Sequence, residues 1–193
     1  MTPEREEKIN RVLSQRQPDL TLVFENVWDP HNISAVLRTA DAVGVMEVYV
    51  LYTQDVKRTK LGRRSSSSAK KWITPHYFYE IDACVQAIRT RYDKIYATQL
   101  SADAKSLYDL DLTDSVALVF GNESAGISQE LTRLCDGNFI IPMHGMVQSL
   151  NISVACAVSL YEAQRQRNVK GFYEQSRLAQ NDFEQLRTEW INK

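Results

Sequence analysis

The feature that most constrains the fold is an apolar run followed by an amphipathic stretch and a second apolar run. Residues 20–27 (LTLVFENV) have the continuous apolar character of a strand buried on both faces. Residues 33–43 place apolar side chains at helical spacing, and Gly44 is the expected stop. A second strand, EVYVLY, is predicted at 47–52. Strand, helix and strand in this order predict a parallel α/β sheet.

The same alternation continues along the chain. It predicts strands at 95–99, 116–120 and 139–141, helices at 81–92 and 127–135, and a long helix from about Ser149. Apolar residues of that helix are Leu150, Val154, Val158 and Tyr161, and either Ser149 or Asn151 can cap it. Amphipathic segments at 4–16 and 172–190 predict terminal helices. We expect one domain, with a mostly parallel sheet and helices on both faces at about 19–168. Helical extensions are expected at about 1–18 and 169–193.

Composition and charge indicate a globular chain in a reducing compartment. The 193 residues have a net charge of −1, and no apolar run approaches the ~20 residues that a membrane span needs. The first residues are charged and lack the apolar segment of a secretory signal, so a cytoplasmic location is expected. Cys84, Cys135 and Cys156 lie far apart among apolar neighbours, which favours buried reduced thiols. Because neither they nor the three histidines have metal-ligand spacing, we expect no metal site.

One stretch, residues 57–71, is strongly basic in an otherwise neutral protein. It contains no acidic residue, and its cations are Lys57, Arg58, Lys60, Arg63, Arg64, Lys70 and Lys71. It is either a solvated surface loop or, in the reading we favour, a contact to RNA phosphates. Arg11, on the first predicted helix, has the same two interpretations. Arg165 and Arg167, at the end of the long helix, are candidates for the edge of the same RNA surface.

Three loops at predicted strand ends carry unusual polar groups, where ligands bind in open α/β sheets. They hold Asn32 and Arg38, then Gly121, Glu123 and Gly126, and finally Gln148, Ser149 and Asn151. Each has an ordinary alternative: an Arg38–Asp41 ion pair, an Asn32 cap, a plain turn, or a cap on the long helix. The chain lacks G-x-G-x-x-G, G-x-x-x-x-G-K-[ST] and G-x-S-x-G, the usual motifs of dinucleotide, nucleotide-phosphate and hydrolase sites.

Together the three loops resemble the three motifs of the SpoU/TrmH family of RNA ribose 2'-O-methyltransferases in the SPOUT superfamily. They read PHNISAVLRTADAVGV (30–45), LVFGNESAGIS (118–128) and IPMHGMVQSLNISVACAVSLYEAQRQR (141–167), in the family's order. RQPDLTLVFENVWDPHN and MVQSLNISVA are most similar to the branch that methylates guanosine 18 in the tRNA D-loop. The resemblance implies a deep C-terminal trefoil knot, which general rules of topology would not suggest. It also implies a homodimer with the active site near the subunit interface.

The resemblance further implies a site for S-adenosylmethionine and a catalytic arginine, Arg38. Residues implied to line the cofactor site are Thr98, Gly121, Ile141, Ser149 and Leu150. Those implied to hold Arg38, the ribose and the loops are Asn32, Glu123, Ser149 and Asn151. Since a guanidinium is normally always protonated, Arg38 is either a true base or an electrostatic stabiliser of the developing alkoxide. The implied substrate is RNA, with tRNA favoured, and no metal is required.

Two other functions remain open at this point. The same chemistry could act on ribosomal RNA or on another tRNA position, because RNA shape and basic surface decide the substrate. A non-catalytic RNA-binding protein could also keep the fold. The joint presence of Asn32, Arg38, Glu123, Ser149 and Asn151 argues against a pure binding protein.

Overall fold

The computed structural model describes residues 2–54 and 69–193 of the chain. Seven strands lie in these ranges: β1 (Leu20–Glu25), β2 (Glu47–Leu51), β3 (Thr74–Phe78), β4 (Lys94–Thr98), β5 (Lys105–Ser106), β6 (Val116–Phe120) and β7 (Gly137–Ile140). The helices there are α1 (Pro3–Ser14), α2 (Pro30–Ala42), α3 (Ile81–Arg89), α4 (Gln129–Arg133), α5 (Ile152–Val169) and α6 (Gln180–Ile191).

The strands form one sheet in the order β3-β2-β1-β6-β4-β7-β5. Every pairing between these described strands is parallel. Parallel strands place their carboxyl ends at one edge, so the loops after β1, β6, β4 and β7 are neighbours there. The predicted parallel α/β sheet is confirmed.

Two central strands explain why helices cover both faces of the sheet. In β1, Leu22 and Phe24 pack into the layer that contains α2 and α5, whereas Val23 packs into the layer of α3 and α4. The same alternation holds in β6 for Leu118 and Val119. Side chains of successive strand residues point to opposite faces, so a strand apolar at every position must be covered twice.

The sequence missed both edge strands of the sheet. β3 contains Pro75, which an edge strand tolerates because it has a free side, and its residues are only partly buried. β5 has two residues, Lys105 and Ser106. Neither strand carries the apolar run by which buried strands are recognised.

The long helix α5 begins later than predicted, and the residues that it buries differ from the predicted apolar stripe, of which Val158 alone packs against the core. Asn151, rather than Ser149, is the N-cap, with its Oδ1 accepting from the Ser153 N–H at 2.9 Å. Residues that α5 buries in the core are Ile152, Cys156, Leu160 and Ala163. Two members of the predicted stripe are instead largely exposed, Val154 at 47% and Tyr161 at 52%.

The terminal helices pack against each other. Ile9 and Leu13 of α1 form a small cluster with Trp190 of α6. The segment between α5 and α6 is tied to the core, since Gln17 Nε2 donates to the Phe172 carbonyl at 3.2 Å and the Tyr173 hydroxyl donates to the Val43 carbonyl at 2.8 Å. The division into core and extensions, like the knot, stays a prediction.

The cysteine prediction holds for two of three residues. All three are free thiols; Cys84 and Cys156 are buried, and Cys135 is partly exposed. Burial raises the pKa of Cys84 to about 12, with Glu25 adding to the effect. No helix in residues 2–54 or 69–193 is long and apolar enough to cross a membrane.

Candidate active site

Three loops meet at the carboxyl edge of the sheet and form the candidate site. The first leads from β1 into α2, the second spans residues 121–128 after β6, and the third spans residues 141–151 after β7. Strand register brings them together, because Phe24 pairs with Phe120 and Thr98 pairs with Phe139. All three are the loops that the sequence singled out.

Asn32 joins the three loops through its side-chain amide. Its Nδ2 donates to Glu123 Oε1 at 2.6 Å, and its Oδ1 accepts from Asn151 Nδ2 at 3.2 Å. Asp29, not Asn32, caps α2, since Asp29 Oδ1 accepts from the His31 N–H at 2.8 Å. The cap alternative for Asn32 is therefore wrong, and its amide is available to align Glu123 and Asn151.

Asn151 has two roles at once. Its Oδ1 accepts from both the N–H and the hydroxyl of Ser153, at 2.9 and 2.6 Å, which caps α5. Its Nδ2 is thereby turned toward Asn32. The cap that starts α5 is also part of the site.

The loop carrying Glu123 is closed tightly. A Cβ on Gly121 would lie 2.2 Å from the carbonyl carbon and oxygen of Gly126, so only glycine fits there. Asn122 and Gly126 exchange two backbone hydrogen bonds at 3.0 and 2.8 Å. Asn122 Oδ1 also accepts from the Ser124 and Ala125 N–H groups, at 2.9 and 3.0 Å. These bonds leave the Glu123 side chain exposed at the tip of the loop.

Glu25 and Asn26, which were not predicted as site residues, hold this loop by hydrogen bonds. Glu25 Oε2 accepts from the Ser128 N–H at 2.7 Å, and the Asn26 carbonyl accepts from Asn122 Nδ2 at 3.0 Å. Asn26 has a positive φ of 53°, which asparagine tolerates better than most residues. Glu25 could have been identified from the sequence, because it is a carboxylate at the end of an apolar strand and a buried acid needs a hydrogen-bond partner.

The predicted cofactor residues lie at the same edge. Thr98 ends β4, and its hydroxyl donates to the Val119 carbonyl at 3.1 Å. Ile141 and Leu150 are half-buried, and Ser149 is exposed. Gly121 follows β6, the strand next to β4. Together these residues offer backbone groups and apolar surface without a charge. That donor set fits an adenosine group bound through main-chain contacts.

Arg38 lies on α2 with its side chain exposed. Asp41, the surface partner that the sequence offered for Arg38, forms an ion pair with the buried Arg16, whose Nη2 is 2.6 Å from Asp41 Oδ1. The structure places Arg38 six residues after Asn32 on the same helix, α2.

The predicted RNA contacts have different outcomes. Arg11 and Lys71 are exposed and Lys70 is half-buried, which lowers the pKa of Lys70. Arg165 is exposed and pairs with Glu162 at 2.8 Å. Arg63 and Arg64 lie outside the described residues. These six positions stay predictions.

Arg167 is a correction. Its guanidinium is fully buried and makes hydrogen bonds to Gln17, Asp19, Leu112 and Asp114, at 2.5 to 3.2 Å. The prediction that it contacts RNA is therefore wrong. It instead binds the end of α5 to the loops that precede β1 and β6.

Residues 2–54 and 69–193 contain no cluster of three or more His, Cys, Asp or Glu side chains that could hold a metal ion. What the edge offers is amide, carboxylate and guanidinium groups, open to solvent. The fold and the site define the class of the protein: it is an α/β protein with a ligand site beyond the carboxyl ends of parallel strands.

Comparison with known proteins identifies the family. The SpoU rRNA Methylase family model matches residues 19–161. A tRNA (guanosine(18)-2'-O)-methyltransferase of Thermus thermophilus is 41% identical over 192 residues, covering 100% of this chain and 98% of that protein. The crystal structure of the A. aeolicus TrmH/SpoU tRNA modifying enzyme has a TM-score of 0.88 at 35% identity, covering 98% of this chain and 95% of the other.

A third relative was solved with a ligand. The SpoU methyltransferase AviRb from Streptomyces viridochromogenes, in complex with the cofactor AdoMet, has a TM-score of 0.69 at 27% identity, covering 81% of this chain and 62% of the other. The chain belongs to the SpoU methylase family, as its three motifs predicted.

Proposed function

We propose that this chain transfers a methyl group from S-adenosylmethionine to the ribose 2'-hydroxyl of a guanosine in tRNA, at position 18 of the D-loop. The observation that carries the proposal is the Asn32 amide, which bonds to both Glu123 and Asn151 and so aligns three loops at one edge of the sheet. The relative from T. thermophilus, similar over the whole chain, carries the name of this activity.

The cofactor would bind in the loops after β4, β6 and β7. Thr98, Gly121, Ile141, Ser149 and Leu150 would hold it, largely through backbone groups. When bound, it supplies a methyl group on a sulfonium, which is already an activated leaving group, so the reaction needs no metal.

Arg38 would act on the ribose hydroxyl, which is a very weak acid. A guanidinium stays protonated at neutral pH, so as a stabiliser it would offset the negative charge that develops on the 2'-oxygen. As a base it would have to lose a proton first. The charge-stabilising role requires no such change.

Glu123, Asn32, Ser149 and Asn151 would position the ribose and the loops. Their side chains are exposed or half-buried, which an RNA substrate requires because the reacting ribose must reach them. Glu123 keeps one carboxylate oxygen on Asn32, which fixes its direction.

The proposal includes a homodimer. Val154 and Tyr161 are seven residues apart on α5, which places them about 20° apart around the helix, and both are largely exposed. Met146 and Val147, in the loop that leads to α5, are exposed as well. A second copy of the chain packed on this face would cover these apolar groups beside the site. A cytoplasmic location belongs to the same proposal.

Transfer of a radiolabelled methyl group from S-adenosylmethionine to an unmodified tRNA transcript tests the activity. We expect label in the transcript, mapped to guanosine 18, and none in a matched transcript with adenosine at that position. Label in ribosomal RNA fragments but not in tRNA would reject the substrate. Binding of tRNA without any transfer would favour the non-catalytic alternative.

A further inference from the structure

We propose that a cavity between α1, α6 and Trp72 binds an unpaired nucleotide of the RNA substrate, distinct from the nucleotide that is methylated. The inference rests on the proposed function for the identity of the RNA. Its evidence is independent of the site at the carboxyl edge.

The cavity has a volume of about 380 Å³, which is in the range of small-ligand pockets. Residues lining it include Arg5, Lys8, Arg16, Asp41, Trp72 and Trp190. They come from the two terminal helices, the connection between α1 and β1, the end of α2 and the residue after the Ala69–Lys71 turn. The terminal extensions therefore build a concave surface that the core alone does not have.

Two indole rings give the cavity an aromatic wall. The ring centroids of Trp72 and Trp190 are 4.8 Å apart, with the planes inclined at 55°. Trp190 is 4% exposed and belongs to the cluster that joins the terminal helices. Trp72 is partly exposed, so it can offer ring surface to a base. Aromatic side chains bind unpaired bases by stacking, whatever the sequence.

The charges around the cavity suit a nucleotide rather than an apolar ligand. Arg5 and Lys8 are exposed and three residues apart, so they lie on one face of α1. Arg16 is buried beneath them, with its guanidinium 4.9 Å from the Trp190 ring centroid. Asp41 offsets the charge of Arg16 through their ion pair. The net positive charge therefore lies at the rim, where a phosphate would sit while its base contacts the indoles.

The cavity lies toward the opposite end of α2 from the Asn32 network. Asp41 lies nine residues after Asn32, which is about 14 Å along a helix at 1.5 Å per residue, and three residues, or about 4.5 Å, after Arg38. Asn32 is at the carboxyl edge of the sheet and Asp41 is near the other end of that helix. A nucleotide in the cavity is therefore a second point of contact on the same RNA, at the end of α2 beyond Arg38.

Affinity for an unmodified tRNA transcript tests the proposal. Replacement of the ring in Trp72→Leu should raise both the Kd and the KM about tenfold, since each stacked base contributes on that order, with kcat unchanged. Trp72→Phe keeps a stacking ring and should retain most of the affinity. The double variant Arg5→Ala/Lys8→Ala should weaken binding and reduce the slope of log K against log salt by about 0.7 to 0.9 per lost phosphate contact.

Lys94→Ala is the matched control, because it removes an exposed lysine from β4, and it should change neither value. The chain has three tryptophans; in a Trp28→Phe background, quenching of the remaining fluorescence by the transcript should disappear when Trp72→Leu is added. Thermal unfolding and S-adenosylmethionine affinity check that each variant is folded.

Three results decide between the readings. If Trp72→Leu binds tRNA within twofold of the parent while Arg5→Ala/Lys8→Ala binds weakly, the surface is only electrostatic and the stacking proposal fails. If methyl transfer proceeds and no cavity variant changes KM, the cavity proposal fails and the proposed function stands. If the transcript binds and quenches Trp72 fluorescence without methyl transfer, the cavity proposal stands and the proposed function fails.

Discussion

Two polar networks in this molecule join segments that are distant in sequence, and they differ mainly in burial. At the carboxyl edge, Asn32 bonds to Glu123 and Asn151 with side chains open to solvent. Elsewhere, Arg167 is fully enclosed and bonds to groups of Gln17, Asp19, Leu112 and Asp114.

The difference in burial predicts that the two networks have different functions. A buried charge that loses its partners costs several kcal/mol of folding free energy, whereas an exposed hydrogen bond costs little because water replaces the lost partner. The Arg167 network should therefore be needed for stability, and the Asn32 network for the reaction.

The largest effect that would separate the networks is expected from Arg38→Ala. Loss of a group that stabilises developing charge should slow methyl transfer by about a hundredfold to a thousandfold. The melting temperature and the S-adenosylmethionine affinity should stay near those of the parent, because the side chain is exposed. Single-turnover rates and calorimetry measure these quantities. A large loss of cofactor binding would contradict the role assigned to Arg38, and partial activity in Arg38→Lys would support charge stabilisation.

Arg167→Met should produce the reverse pattern. Removal of the guanidinium leaves Asp19, whose side chain is 18% exposed, with Arg177 as its remaining ion-pair partner. We expect a loss of about 3 kcal/mol in the free energy of unfolding, or a decrease of about 6–12 °C in Tm for a chain of this size. Transfer per folded molecule should be unchanged.

Arg165→Met is the matched control for that change. Arg165 lies two residues earlier on the same helix, but its guanidinium is exposed, and its buried partner Glu162 also accepts from Gln166 Nε2 at 2.9 Å. It should destabilise the protein far less than Arg167→Met, because an exposed guanidinium stays solvated with or without its partner. Equal destabilisation by both variants in denaturant titrations would show that burial is not what makes the Arg167 network important for stability.

Asn32→Ala should reduce kcat by about tenfold to a hundredfold. It removes the amide that bonds to both Glu123 and Asn151, so the two other loops lose their alignment, and misplaced groups can slow a reaction about a hundredfold. Stability should fall little. Thr39→Ala is a suitable control on the same helix, since its hydroxyl donates within the helix to the Ala35 carbonyl. A kcat unchanged in Asn32→Ala would mean that the bond between the loops has no part in the reaction.

The smallest effect is expected from Lys70→Ala/Lys71→Ala. If both side chains contact phosphates, tRNA affinity should fall and the salt slope should decrease by about 2, at ~0.9 per contact. Lys105→Ala, in β5, provides a lysine control away from the basic stretch. Binding titrations at several salt concentrations give the slope, and an unchanged slope would exclude these lysines as phosphate contacts.

Elements whose position in the fold requires apolar residues could be predicted from sequence, and elements without that requirement could not. β1 and β6 were predicted closely because strands covered on both faces need apolar residues throughout. β3 and β5 were missed because edge strands are under no such requirement. On α5, Val154 and Tyr161 were predicted as part of the helix's apolar stripe, yet both are largely exposed. Periodicity identifies an apolar face but not what covers it.

The site residues were found through resemblance to the family, and their contacts could not have been read from spacing. Asn32 lies 91 residues from Glu123 and 119 residues from Asn151. Arg167 was predicted to contact RNA because it lies in the arginine-rich end of the long helix. Only the fold brings its acceptors together, and nothing local in the sequence indicates them.

The double role of Asn151 gives the molecule an internal reporter. The backbone amide of Ser153 is held by the same side chain that bonds to Asn32. If separation of the first motif from the third turns the Asn151 side chain, the Ser153 N–H loses its acceptor and the first turn of α5 loosens. Hydrogen–deuterium exchange at a single amide, Ser153, would therefore record when the three loops come together and when they separate.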